Sequence, residues 1–275
     1  MILERTIAPV FAANCYVLAP GPDRPALVVD PGAGAVRGAL ALLRSNRLTL
    51  GAVLLTHGHA DHVWDTAALI EAAHAEGLLA VEDPADAAAS VPVYIPEPDR
   101  YRLEDPDAAT GISANGMTFA DLAETPWRKP GDIRDVPGEA FSRAVELVPG
   151  VAVRAIPAPG HSEGSTLFFL NAPLADNALL YEAEAVEDDP SVAEEEHDYL
   201  VALDGDVIFK GSVGRTDLPG GDQVQMWATL RFLASAVSPE TVLLPGHGAA
   251  TTMAHEHHAN PYLAEAKVRG GDRHA

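Results

Sequence analysis

The sequence predicts an α/β fold. Short apolar runs rich in Val, Leu and Ile alternate with stretches of helical periodicity along 275 residues, and 47% of the chain is hydrophobic, ample for a packed core. Asn14-Cys15-Tyr16-Val17-Leu18 reads as a buried strand, and Ala26 to Asp30 as another, ended by Pro31-Gly32. Val36, Leu40 and Leu43 mark one helical face before Gly51 to Thr56 returns as a strand. Val63, Ala67, Ile70 and His74 fall on a single helical stripe ending near Gly77, which places His74 in core or rim packing. Leu78 to Val81 reads as the next strand. A second set begins with Val151 to Ile156 and Thr166 to Asn171, neighbouring strands across a Pro- and Gly-rich turn, and continues with Tyr199 to Leu203 and Val242 to Leu244. Met226, Leu230, Leu233 and Val237 space a helix between those last two.

Two segments break this rhythm within what reads as one domain spanning 1–275. Glu82 to Asp135 carries many Pro, Gly and Asp residues with scattered aromatics (Tyr94, Tyr101, Phe119, Trp127), a composition suited to an ordered flap over a site rather than to a strand pair. Glu182 to Asp198 is densely acidic and reads as a solvated, mobile loop.

Composition excludes several function classes. The formal net charge of −22, from 40 Asp plus Glu against 18 Lys plus Arg, repels phosphate backbones and anionic headgroups, which argues against nucleic acid or a membrane surface as partner. The single cysteine, Cys15, can form no intramolecular disulfide. Glu4, Arg5, Pro9 and Asn14 interrupt the first apolar stretch, unlike a signal sequence, and no run approaches the ~18 apolar residues of a bilayer span. The expectation is a soluble cytoplasmic protein.

Chemistry concentrates in Thr56-His57-Gly58-His59-Ala60-Asp61-His62, directly after a strand and directly before a helix. Three imidazoles and a carboxylate so close together make a poor core, because buried polar groups need partners, but a good metal turn. Alternation directs His57 and His59 one way and Asp61 and His62 toward a second position, which points to two metals. Asp30 ends a strand on the side where these ligands emerge, placed to hydrogen-bond a metal histidine. Arg215 and Asp217 pair to hold a Gly-rich loop, while His255, His257 and His258 read as surface residues of a helix.

This run resembles the His-x-His-x-Asp-His signature of the metallo-β-lactamase superfamily. The superfamily's further ligands occur in order: His161 in Pro159-Gly160-His161-Ser162, Asp206 in Gly205-Asp206, and His247 in Pro245-Gly246-His247-Gly248. The stretch from Gly205 to Asp222, with Asn260-Pro261-Tyr262-Leu263, is similar to the glyoxalase II group of small bacterial hydrolases. The resemblance covers about residues 1–81 and 147–265 and implies a four-layer αβ/βα sandwich with metals at one edge between two sheets. It further implies that His57, His59 and His161 hold one divalent ion, that Asp61, His62 and His247 hold another, and that Asp206 bridges them. Zn, Fe and Mn all suit these donors, with Zn the leading expectation.

Two ions about 3.5–4 Å apart would share a water and bring its pKa toward ~7, so that no side-chain nucleophile is needed. Asp61 and Asp206 would orient the resulting hydroxide. Hydrolysis of a small-molecule hydroxyacyl thioester, the glyoxalase II reaction, fits this centre because a thiolate leaves without a strong general acid. The glutathione-gripping helical region that such enzymes carry after the last histidine has only Gly248 to Ala275 to occupy here. Two rivals remain: a persulfide dioxygenase, which would use a single iron on His57, His161 and Asp206, and a non-catalytic metal-binding module.

Overall fold

The computed structural model describes residues 1–80, 91–111, 117–174, 177–184 and 197–269. Its first sheet runs in the order β1 (Ile2–Ile7), β2 (Asn14–Ala19), β3 (Pro25–Val29), β4 (Thr49–Leu54), β5 (Pro92–Ile95), β6 (Asp132–Asp135). The first three strands are antiparallel and the rest of the sheet is parallel. The second sheet runs β14 (Thr251–Thr252), β13 (Val242–Pro245), β10 (His197–Gly205), β9 (Thr166–Leu174), β8 (Val151–Pro157), β7 (Val145–Val148). Only its β10 and β13 pair in parallel.

Alternation along the strands divides the core into layers. On β2 and β3, Tyr16, Leu18, Leu27 and Val29 face the second sheet, where they meet Phe168, Leu170, Val201 and Leu203. The intervening Cys15, Val17, Ala26 and Val28 pack beneath α1 (Val36–Ser45) and α3 (Thr66–Ala75) through Leu40, Leu43, Leu69 and Ile70. On the far side, Leu167, Phe169, Ala202 and Leu243 support α7 (Gln223–Ala236) and α9 (Pro261–Arg269). Helices, sheet, sheet and helices therefore stack as the expected αβ/βα sandwich. Because both faces of these strands are buried, they read in the sequence as continuous apolar runs.

Four local expectations are corrected. Pro92–Ile95 and Asp132–Asp135, inside the supposed excursion, are strands that pair side by side and extend the first sheet. Leu78 to Ala80 forms no strand, only an isolated bridge of Leu79 to Leu50; Val81 lies outside the described residues. The helix after the histidine run is split into α2 (Ala60–Val63) and α3; Val63, Ala67 and Ile70 are buried as expected, but His74 is exposed and Ala73 takes the buried position in the last turn. The acidic segment lies mostly outside the described residues, but its ends are structured: Glu182 closes α6 (Ala178–Glu182) and pairs with Arg5, and His197 opens β10.

Candidate metal centre

All seven expected ligands converge at one edge of the sandwich, five of them from segments that follow strands and two from the short helix α2. His57 and His59 follow β4, Asp61 and His62 lie on α2, His161 sits in the turn between β8 and β9, Asp206 follows β10 and His247 follows β13. Two triads are set side by side: the potential donor atoms of His57, His59 and His161 all lie within 4.8 Å of one another, as do those of Asp61, His62 and His247. In the inner triad, His59 Nδ1 is 2.8 Å from His161 Nε2. In the outer one, His247 Nε2 is 3.1 Å from Asp61 Oδ2 and 3.2 Å from His62 Nε2. Asp206 stands between them, with Oδ1 3.3 Å from His62 Nε2 and Oδ2 3.5 Å from the Nε2 atoms of both His161 and His247.

These separations suit shared cations. Two ligand atoms each ~2.1 Å from a tetrahedral ion lie about 3.4 Å apart, close to the values between the donors here. His57 Nε2 is buried with no hydrogen-bond partner among the described residues, a deficit that a bound ion would remove.

Neighbouring groups fix the orientation of the imidazoles. Asp30 is held at φ 50°, in the left-handed region at the end of β3, and accepts from Thr56 N at 2.8 Å and Thr56 Oγ1 at 2.6 Å. Since the Thr56 hydroxyl donates to Asp30, its oxygen accepts from His57 Nδ1 at 3.1 Å, which leaves His57 Nε2 bare. Asp30 Oδ2 also accepts from His62 Nδ1 at 3.1 Å, and the Arg215 carbonyl accepts from His161 Nδ1 at 2.7 Å. Each contact leaves the opposite nitrogen to face the centre. The expected placement of Asp30 is thus observed. Thr56 and the Arg215 carbonyl were not singled out by the sequence, the latter because a backbone acceptor leaves no residue-type signal.

The two triads differ in charge. Burial, followed by the neighbouring imidazoles, drives His57 well below the ordinary imidazole range, and burial with His161 does the same to His59. These rings are neutral, as ligation requires. Burial also opposes charge on His62, but Asp206 and Asp61 outweigh it and raise that ring well above its usual value. Burial opposes ionisation of Asp206 too, yet His62 and His247 hold its carboxylate well below the ordinary range.

Outside the centre opens a cleft of about 300 Å³. Its walls are largely apolar: Phe11, Phe209, Val213 and Leu218 line it with Ser212 and Arg215. Phe11 and Ala12 both adopt left-handed backbone conformations, φ 58° and 57°, and Phe11 leans edge-on against Phe119 with centroids 5.6 Å apart. Opposite, Phe209 stands edge-on to His247 at 6.0 Å. Arg215 is engaged by Asp217 through two hydrogen bonds of 2.6 and 2.8 Å, the expected pairing. His255, His257 and His258 lie on α8 (Met253–Ala259), away from the seven ligands.

Comparison with known proteins gives a consistent family. The metallo-β-lactamase superfamily profile matches residues 8–172. An uncharacterised protein of Mycobacterium tuberculosis is 31% identical, covering 96% of this chain and 98% of its own. Hydroxyacylglutathione hydrolase GloC of Haemophilus influenzae is 26% identical, again covering 96% of this chain and 98% of its own. Among solved structures, BLEG-1 B3 metallo-β-lactamase aligns with a TM-score of 0.66 at 26% identity, covering 95% of this chain and 99% of that one. TTHA1623 in a di-iron-bound form aligns with a TM-score of 0.61 at 28% identity, over 94% and 99%.

Proposed function

The chain belongs to the metallo-β-lactamase superfamily, and on that premise we propose that it is a binuclear metal-dependent hydrolase of hydroxyacyl thioesters. The observation that carries this reading is the position of Asp206, whose two oxygens reach toward donors of both triads at 3.3–3.5 Å. His57, His59 and His161 would hold one divalent ion and Asp61, His62 and His247 the other, with Asp206 common to both. Bound there, the ions would supply Lewis acidity and a water acidified enough to attack a carbonyl carbon near neutral pH.

The chain's own groups do the rest. Asp30 and Thr56 lock the rings of His57 and His62, so their donor nitrogens need little reorganisation. Asp61 and Asp206 place anionic carboxylates among the histidines, where they would orient a water held by the ions. The apolar walls set by Phe11 and Phe209 confine an acyl chain and limit bulk water beside the scissile carbonyl. No side chain is required as nucleophile, and a thiolate needs no strong general acid to leave.

Support for the thioester comes from GloC, named as acting on hydroxyacylglutathione, and support for a two-ion centre from the di-iron form of TTHA1623. The single-iron dioxygenase reading would leave Asp61, His62 and His247 without a task. The test is metal analysis of protein prepared without an affinity-column metal, followed by a thioester panel and an oxygen-uptake assay. Two ions per chain with thioester turnover and no oxygen consumption is the expected result; one iron with oxygen uptake would replace the hydrolase with the dioxygenase.

A further inference from the structure

The segment read from sequence as a flap over the site packs against the ligand loops from the protein side. Its 3₁₀ turn, Glu97–Glu104, carries Asp99 and Arg102, both fully buried. Asp99 Oδ2 accepts from the backbone N–H of Gly58, between His57 and His59, at 2.8 Å. Its other oxygen accepts from the N–H of Gly164, three residues past His161, at 2.7 Å. A single carboxylate therefore ties together the two loops that supply the inner triad.

The segment's next element, α4 (Pro106–Thr110), adds a second anchor, because Thr110 Oγ1 accepts from Ala60 N at 2.8 Å. The peptide N–H groups on either side of His59 are thus both held by this segment. The approach is close enough to dictate sequence. A Cβ at Gly58 would lie 2.7 Å from Arg102 Cδ, and one at Gly164 would lie 2.7 Å from Asp99 Cβ, so glycine is required in both ligand loops.

Arg102 makes the buried carboxylate tolerable. Its Nε is 3.3 Å from Asp99 Oδ1, and its remaining guanidinium nitrogens donate to Ala109 O at 2.9 Å, to Pro219 O at 2.8 Å and to Glu163. The outer ligand His247 is steadied by a different element. Its turn is held by β2, where Asn14 Nδ2 donates to the carbonyls of Pro245 and Gly248 at 2.8 and 2.9 Å and Tyr16 donates to Pro245 O at 2.7 Å.

We propose that Asp99 and Thr110 are positioning residues for the inner metal site: Asp99 sets the spacing between the His57/His59 loop and the His161 loop, and Thr110 fixes the peptide that follows His59, neither touching metal or substrate. The inference rests on the assignment of the two triads above. It predicts an asymmetric defect: loosening these anchors degrades the all-histidine site and spares the site built on Asp61, His62 and His247.

The test titrates metal-free protein with zinc against a competing chelator, for wild type, Asp99→Asn, Thr110→Val and Thr110→Ser. Asp99→Asn keeps size but replaces one acceptor with a donor facing an N–H. Thr110→Val removes the acceptor, and Thr110→Ser retains it. Asp99→Asn and Thr110→Val should weaken one of the two zinc sites by about 10–100-fold while changing the other by less than about threefold. Thr110→Ser should restore wild-type affinity, and the spared site should be the one that Asp61→Asn weakens. If Asp99→Asn fails to fold, as shown by its melting curve without metal, the Thr110→Val and Thr110→Ser pair carries the test. Unchanged affinities in the folded variants, or equal loss at both sites, would overturn the positioning role. Wild-type protein that does not take two ions would instead overturn the metal-centre reading, and this inference with it.

Discussion

His57, His59 and His161 on one side of Asp206, and Asp61, His62 and His247 on the other, form two triads of similar size and unlike construction. The inner one is all imidazole, at most 2% exposed, and burial keeps His57 and His59 neutral. The outer one contains a carboxylate, its His247 side chain is 24% exposed, and although burial opposes charge on His62 and His247, Asp206 and Asp61 together raise both rings above the ordinary range. The inner triad is a dry donor set whose quality depends on how loops are packed. The outer triad depends on charge, while both triads present two ligands to the cleft, His59 and His161 from the inner one and Asp61 and His247 from the outer. Donor composition thus divides one centre into a part secured by burial and loop packing and a part set by charge.

The largest effect should come from removing the group the two halves share. Asp206→Ala should deplete both ions and lower turnover by more than the ~10–100-fold that loss of a supporting contact costs. Retention of two ions and normal turnover would remove Asp206 from its shared position. Asp61→Asn should separate the halves: it is nearly isosteric but neutral, so it should weaken the outer ion by at least about tenfold and leave the inner ion nearly unchanged. Equal loss at both sites, measured by metal titration, would erase the distinction.

A smaller effect concerns the cleft. Arg215, the single Lys or Arg lining it among the described residues, is already engaged by Asp217, and the walls opposite the metals are apolar. Lactoylglutathione, an anion, should therefore show kcat/KM no higher than thioesters of small uncharged thiols at fixed ionic strength. A value near the ~10⁸ M⁻¹s⁻¹ diffusional range for lactoylglutathione, with the others far lower, would show that another part of the chain grips glutathione.

The smallest effect tests how dry the layer between β2 and its covering helices is. Cys15 is fully buried, and burial, reinforced by Asp30 and Asp65, raises its thiol above the ordinary value of 9.0. The folded state therefore holds this proton more tightly than the unfolded chain. Its contribution to stability is fully present below pH 9.0 and declines as pH rises beyond it. Iodoacetamide at pH 8 should label Cys15 only as fast as the chain unfolds, whereas rapid labelling under native conditions would show water reaching the layer beneath β2.

The sandwich and the convergence of the seven candidate ligands were legible in the sequence for a common reason. Strands buried on both faces leave continuous apolar runs, and ligands at strand ends fall just after those runs, as His57, Asp206 and His247 do. Of what supports the ligands, Asp30 was legible, and Asp99, Thr110 and the Arg215 carbonyl were not. Asp99 acts through two backbone N–H groups far from it in sequence, so nothing in its neighbours marks it. Pro92–Ile95 and Asp132–Asp135 are four-residue strands with prolines or charges in them, and they form only because parallel neighbours are already in place. His74 misled because the stripe holds for Val63, Ala67 and Ile70, all buried, but in the last turn of α3 the buried position is Ala73 and His74 is exposed.

The most direct measurement is anomalous diffraction from crystals of the protein loaded with its native metal. Two anomalous peaks about 3.5–4 Å apart are predicted, one against His57, His59 and His161 and one against Asp61, His62 and His247, with Asp206 between them. A single peak bound by His57, His161 and Asp206, with the outer triad empty at full loading, would contradict the two-ion centre.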